Sequence, residues 1–296
     1  LGQSFQVLST VLKLLVLALF CVAGLAAGTL EGTASLLPSE AALNSALMPA
    51  FALALIYVSY AYSGWNAAAY VVNEVEDPRR TVPRALIHGT LLVMLFYLIL
   101  NWVFLRTVPL DQLQGIVEVG ALSARTIFGP RGGVLMAALL CLLLLSTVSG
   151  MILAGPRILQ VIGEDTPVLG FLAARSRRGA PVRAVLLQQA IALAFIATGS
   201  FEGVLTFAGY TLTLFALLTV LGVVVLRHRE PNLERPFRVP AYPWPPLIFV
   251  LVSVLTLLFV LRERPWAAAA SLGIVAVGLL LAWSRGGTKP PSSKMA

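Results

Sequence analysis

Charge is scarce in this chain, and that scarcity excludes a great deal. Only 11% of the 296 residues are charged, against 58% hydrophobic, and the mean hydropathy is +0.90. No soluble domain needs so much apolar surface. Cysteine and histidine number two each. Cys21 and Cys141 fall inside apolar runs, while His88 and His228 sit in basic loops, so the sequence holds no disulfide framework and no metal-ligand spacing. A His-Glu-x-x-His helix, a phosphate-binding glycine loop and an acidic pair within an apolar run are all missing. Ser63-Gly64 and Ser149-Gly150 lack a nucleophile-elbow context. The chain is therefore not read as an enzyme and requires no cofactor.

What the chain does have is long apolar runs. Eight are candidates to cross a bilayer: Val7–Ala27, Leu47–Val72, Ala85–Leu105, Gly133–Ala154, Val182–Thr198, Val204–Leu226, Leu247–Leu261 and Trp266–Trp283. A crossing takes about 20 residues. The runs are continuous rather than alternating, which argues against a β-barrel. The expectation is an all-α polytopic membrane protein with eight transmembrane helices, forming a single transmembrane domain over residues 1–296, with the lipid bilayer as partner. The chain begins Leu1-Gly2-Gln3, without an initiator Met or a basic region before the first run. That run does not read as a signal peptide, and the start is expected to lie inside a longer protein.

The net charge of +8 does not point to nucleic acid, because the cations sit in short loops between runs. Arg79, Arg80 and Arg84 follow the second run, and Arg157, Arg175, Arg177, Arg178 and Arg183 follow the fourth. Arg227, Arg229, Arg235 and Arg238 follow the sixth, and Arg285, Lys289 and Lys294 form the tail. The opposite loops carry only Arg106, Arg125, Arg131, Arg262 and Arg264. Loop cations mark the cytoplasmic side, which places both chain ends in the cytoplasm.

Three features carry chemistry. The stretch from Phe51 to Arg84 enters as an apolar helix and meets Ser63-Gly64 near mid-run, flanked by Tyr60, Tyr62, Trp65 and Asn66. A helix that opens at bilayer depth frees backbone groups that must meet a ligand, water or protein, and transporters build midplane sites this way. Close helix packing also uses small residues, so the pair alone leaves both readings open. Lys13 is the one ionisable residue well inside a run. It has a partner or a task in proton movement, or it snorkels to the near interface. Glu74 through Arg84 forms either a capped helix end or a gate made of exchangeable ion pairs. Ser146, Thr147 and Ser149, with Tyr210, Thr211 and Thr213, are hydroxyls within apolar runs, and most such groups bond to the carbonyl one turn back.

AYSGWN at 61–66 and NEVEDPRRTVPRA at 73–85 closely resemble the sixth helix and following loop of the amino acid–polyamine–organocation superfamily, best in its L-type amino acid transporter branch. VLSTVLKLLVLALF at 7–20 resembles the family's fifth helix with its lysine. GMILAGPRIL at 150–159 resembles the end of the eighth, and VLRHREPNLERPFRVPAYPWPPL at 225–247 the passage from the tenth into the eleventh. The resemblance implies part of a five-plus-five inverted-repeat, leucine-transporter-like fold with a broken second span. Residues 1–28 would be the last helix of the first repeat, 47–226 the second repeat and 244–284 two additional helices. Helices one to four, which carry the carboxylate-binding motif, have no counterpart here and are expected upstream.

The resemblance also implies roles. Carbonyls of Tyr60, Ala61 and Ser63 would receive the substrate's amino group, Gly64 would permit the opening, and Trp65 and Asn66 would flank the pocket. Tyr210 and Thr213 would line the substrate side chain. Lys13 would occupy a coupling position with Ser146 and Ser149 as partners, and Glu74 and Arg80 would gate. The implied activity is secondary active transport of amino acids across the cytoplasmic membrane by alternating access, as an exchanger or proton-coupled carrier. Neutral substrates are expected, because no acidic residue lies at pocket depth. No partner subunit is assigned. The alternative is a non-transporting membrane scaffold or degenerate half-transporter, distinguished by whether four further apolar runs precede Leu1 in the reading frame.

Overall fold

The computed structural model describes residues 2–27, 49–66, 68, 72, 75–176, 179–235 and 237–283. In chain order these form α1 (Gly2–Ala26), α2 (Pro49–Ala61), α3 (Pro78–Thr107) and the single turn α4 (Leu110–Leu113). Then come α5 (Val119–Asp165), a 3-10 segment (Pro167–Ala173), α6 (Val182–Ala197), α7 (Phe201–Arg229), α8 (Trp244–Glu263) and α9 (Pro265–Trp283). Among the described residues there is no strand. The outer loop at 28–46, Glu74, Arg177, Arg178 and the basic tail lie outside them, and the second run past Asn66 is described only at Ala68, Val72 and from Val75 onward.

Five helices are long and apolar enough to cross a membrane: α1 from Val7, α3, α5, α7 and α8. Only 6% of the most apolar stretch of α3 is buried and 28% of that of α8, so most of their hydrocarbon faces outward. Water does not tolerate such surface on this scale, whereas lipid matches it. The other expected spans are shorter. α2 has 13 residues, and the apolar part of α9 is Pro265–Leu281. α6 has 16 residues, a rise of about 24 Å against a hydrocarbon layer of about 30 Å.

Helix ends follow local chemistry. α3 begins at Pro78, seven residues ahead of the expected edge, because proline suits a first helical turn. Asp77 takes a positive φ of 45° just before it. α5 is two helices joined at Gly129, which adopts φ 76° and ψ −176° immediately before Pro130; the residue before a proline is driven out of the helical region. α7 is capped by Ser200, whose side chain accepts from the Gly203 amide at 3.1 Å. Glu202 sits in its first turn and Arg227, His228 and Arg229 in its last, which matches the helix dipole at both ends.

The chain divides into two compact units. The first comprises 1–38 and 84–155. Phe20, Cys21, Leu100, Val103 and Ala124 form its core, and Gly24 lets α1 press against the Val103 side chain. Thr107 and Ser123, both fully buried, join α3 to α5 by a hydroxyl–hydroxyl bond of 2.6 Å. The second unit comprises 39–83 and 156–296, where α2, α7, α8 and α9 pack around Ile56, Tyr210, Leu217, Leu257, Val260 and Ala268. α2 and α7 meet at Gly209, where an added Cβ would lie 2.5 Å from the Ile56 Cγ2 methyl.

Candidate functional site

α2 stops inside the second apolar run. The Tyr62 amide still reaches the Val58 carbonyl at 3.1 Å, and the Ser63 amide then makes a tighter bond to Tyr60, at 2.9 Å. Gly64 follows at φ +99°, a conformation that side-chain-bearing residues rarely adopt. Among the described residues, no amide reaches the carbonyls of Ser63 and Gly64. The Tyr60 carbonyl, expected to face the substrate, accepts from the Ser63 amide, while the Ser63 carbonyl, expected in the same role, has no such partner among the described residues.

Beside this opened end lies a cavity of about 560 Å³ within the second unit. Ser63, Trp65 and Asn66 line it from the α2 side, Thr213 and Thr219 from α7, and Ser253 from α8. Every described residue that lines it is uncharged. The structure thus brings together four of the eight residues expected around a substrate. Of the others, Ala61 ends the helix, and Tyr60 lies against the Gly209 crossing. Gly64 supplies the turn, with open space where a Cβ would stand. Tyr210 is 4% exposed and packs with Ile56 in the core, turned away from the cavity lining.

Ser253 was not legible in the sequence as a lining residue. The one signal is that it stands four residues after Phe249, another lining residue, on one face of α8.

In the first unit, Lys13 Nζ donates to Thr147 Oγ1 at 3.0 Å. The Thr147 hydroxyl in turn donates to the Leu143 carbonyl at 3.2 Å, so it accepts from the ammonium and donates onward. The expected partners lie to either side. Ser149 bonds back to Leu145 at 2.9 Å, and the Ser146 hydroxyl is buried without a partner among the described residues. Arg80 faces Asp77 at 3.9 Å, while its expected gating counterpart Glu74 lies outside the described residues. The neighbouring Arg79 reaches Glu234, in the segment between α7 and α8, at 3.2 Å.

Toward the start of α7, Glu202 accepts from Arg264 Nη2 at 2.8 Å and from the Tyr57 hydroxyl at 3.4 Å. This ties α2 to α7 and to the turn between α8 and α9.

Long apolar helices that turn their hydrocarbon outward, with one helix ending beside a cavity of mixed apolar and hydroxyl lining, fit a polytopic membrane permease. The chain belongs to the amino acid permease family, which it matches over residues 1–279. It is 26% identical over 267 residues to the b(0,+)-type amino acid transporter 1 of Rattus norvegicus, covering 90% of this chain and 54% of that protein. It is 24% identical over 239 residues to the cystine/glutamate transporter of Homo sapiens, covering 79% and 47%. To the serine/threonine exchanger SteT of Bacillus subtilis (strain 168) it is 25% identical over 283 residues, covering 94% and 63%. The chain thus spans about half to three-fifths of the length of these relatives. The family is one of transporters, not enzymes.

Proposed function

We propose that the protein containing this chain is a secondary active transporter of neutral amino acids in the cytoplasmic membrane, working by alternating access as an exchanger or proton-coupled carrier. The observation that carries this reading is the end of α2 at Ala61, where among the described residues no amide reaches the carbonyls of Ser63 and Gly64, next to a cavity whose described lining is uncharged. Free carbonyls attract the ammonium of a zwitterion, and opened helices at mid-bilayer present such groups. The described lining supports neutral substrates, since a charged side chain enclosed there would lack a counter-ion among those residues.

The proposed architecture has eight spans in one transmembrane domain, with 47–226 as a second repeat and 244–284 as two added helices. The helix order from α1 to α9 supports it, with α2 and its continuation, α6 and α9 completing the set. Both chain ends are proposed to be cytoplasmic, on the strength of the loop arginines. Lys13 with Thr147 is the proposed coupling site, and the arginine-bearing turn at Asp77–Arg80 the proposed gate.

The test is uptake and exchange of radiolabelled amino acids by the full-length gene product in liposomes. Entry of at least one neutral amino acid, accelerated by unlabelled amino acid or a proton gradient on the other side, is expected. Failure of every neutral amino acid to enter or exchange would overturn the proposal.

A further inference from the structure

The hydroxyls around the cavity are unevenly satisfied. Of the threonines on α7, Thr206, Thr211 and Thr219 each donate to the carbonyl one turn back, at 2.8 Å. This is the ordinary fate of a hydroxyl in an apolar helix. Thr213 departs from it. The residue is 7% exposed, lines the cavity, and its Oγ1 is buried without a hydrogen-bond partner among the described residues. Across the cavity on α8, Ser253 is 5% exposed and likewise makes no hydrogen bond among the described residues. Two helices therefore each bring an unspent hydroxyl to the wall of one space in which no described residue carries charge.

A hydroxyl both donates and accepts, and leaving one buried and unpaired is costly. An aliphatic ligand filling the cavity would impose that cost, and a charged one would need a counter-ion. A neutral group that itself donates and accepts satisfies both hydroxyls.

We propose that Thr213 and Ser253 read the substrate side chain and select one ending in a hydroxyl or carboxamide, as in serine, threonine, asparagine and glutamine. This rests on the cavity being the substrate site, as proposed above. Discrimination comes mainly from rejection, because sites built to bond a hydroxyl exclude the analogue that lacks it far better than apolar pockets exclude an added one.

Threonine and valine are nearly equal in shape and differ in the hydroxyl, which makes them the probe pair. Both are set to compete against labelled serine in liposomes carrying the full-length gene product. Threonine is expected to compete at least about tenfold better than valine. Thr213→Val and Ser253→Ala should each narrow that gap, to within about twofold for the former, while Thr213→Ser should keep it. Should Thr213→Val fail to insert, the contrast between Ser253→Ala and Thr213→Ser carries the comparison. Valine competing as well as threonine, or a Thr213→Val loss equal for both, as a hydroxyl serving only a trapped water would give, overturns the inference and leaves the transport reading standing. Transport of no neutral amino acid overturns both.

Discussion

Lys13 is held inside an apolar helix by a hydrogen bond to a threonine whose own hydroxyl donates to a backbone carbonyl. A lysine at such depth costs about 2.5–3.5 kcal/mol on insertion scales, and a charge-assisted bond of about 1.5–3 kcal/mol offsets much of that. If the pair serves coupling, Lys13→Met and Thr147→Val should each lower uptake about tenfold or more, the rate equivalent of about 1.4 kcal/mol. Initial rates of uptake decide the matter, and an unchanged rate in Lys13→Met would reduce the lysine to an interfacial anchor. Sequence alone found the lysine because a lone charge in hydrocarbon is conspicuous. It missed Thr147 because three neighbouring hydroxyls look alike until the helix rotation about its own axis is known. Tyr210 was ambiguous for the same reason: an aromatic hydroxyl suits a pocket or a core equally, and here the residue packs with Ile56.

The crossing of α2 and α7 fixes where the opened helix can lie. At Gly209 an added Cβ would meet the Ile56 methyl at 2.5 Å and the Ile56 carbonyl at 3.4 Å. Isoleucine in a helix has essentially one χ1 rotamer, so the methyl cannot swing aside. Gly209→Ala should therefore force the two helices apart and lower stability by about 1–3 kcal/mol, as overpacking does. Thermal unfolding in detergent reads this directly, and an unaltered midpoint would show that the crossing has slack. The break in α2 was visible in the sequence as Ser63-Gly64 within an aromatic apolar run. The helix edges were less so. Pro78 extends α3 backward and Gly129 divides α5, because backbone preferences at single prolines and glycines override hydropathy there.

At the scale of the whole molecule, the arginines write an orientation onto the chain. If they face the cytoplasm, a cysteine placed in the turn at Gly199 should react with an impermeant maleimide added outside intact cells. One placed at Asn232, after α7, should react only once the membrane is opened. Cys141 and Cys21 are replaced by serine beforehand. Outside labelling at both positions, or at neither, would refute the assigned topology. The membrane class was legible from composition because hydrophobic content that high has one economical solvent. The cavity was not, since Ser253 comes from a distant helix whose apolar run gives no hint of what it faces.

The Thr107–Ser123 bond has a further consequence. Two helices in oil slide past one another easily, since one methyl replaces another at little cost, but a directed proton shared between fully enclosed oxygens permits a single alignment. Displaced by one turn toward the start of α5, the hydroxyl of Thr107 would confront Gly120 or Val119 and forfeit its mate. The pair works like a detent in a sliding mechanism, setting the notch at which α3 and α5 come to rest.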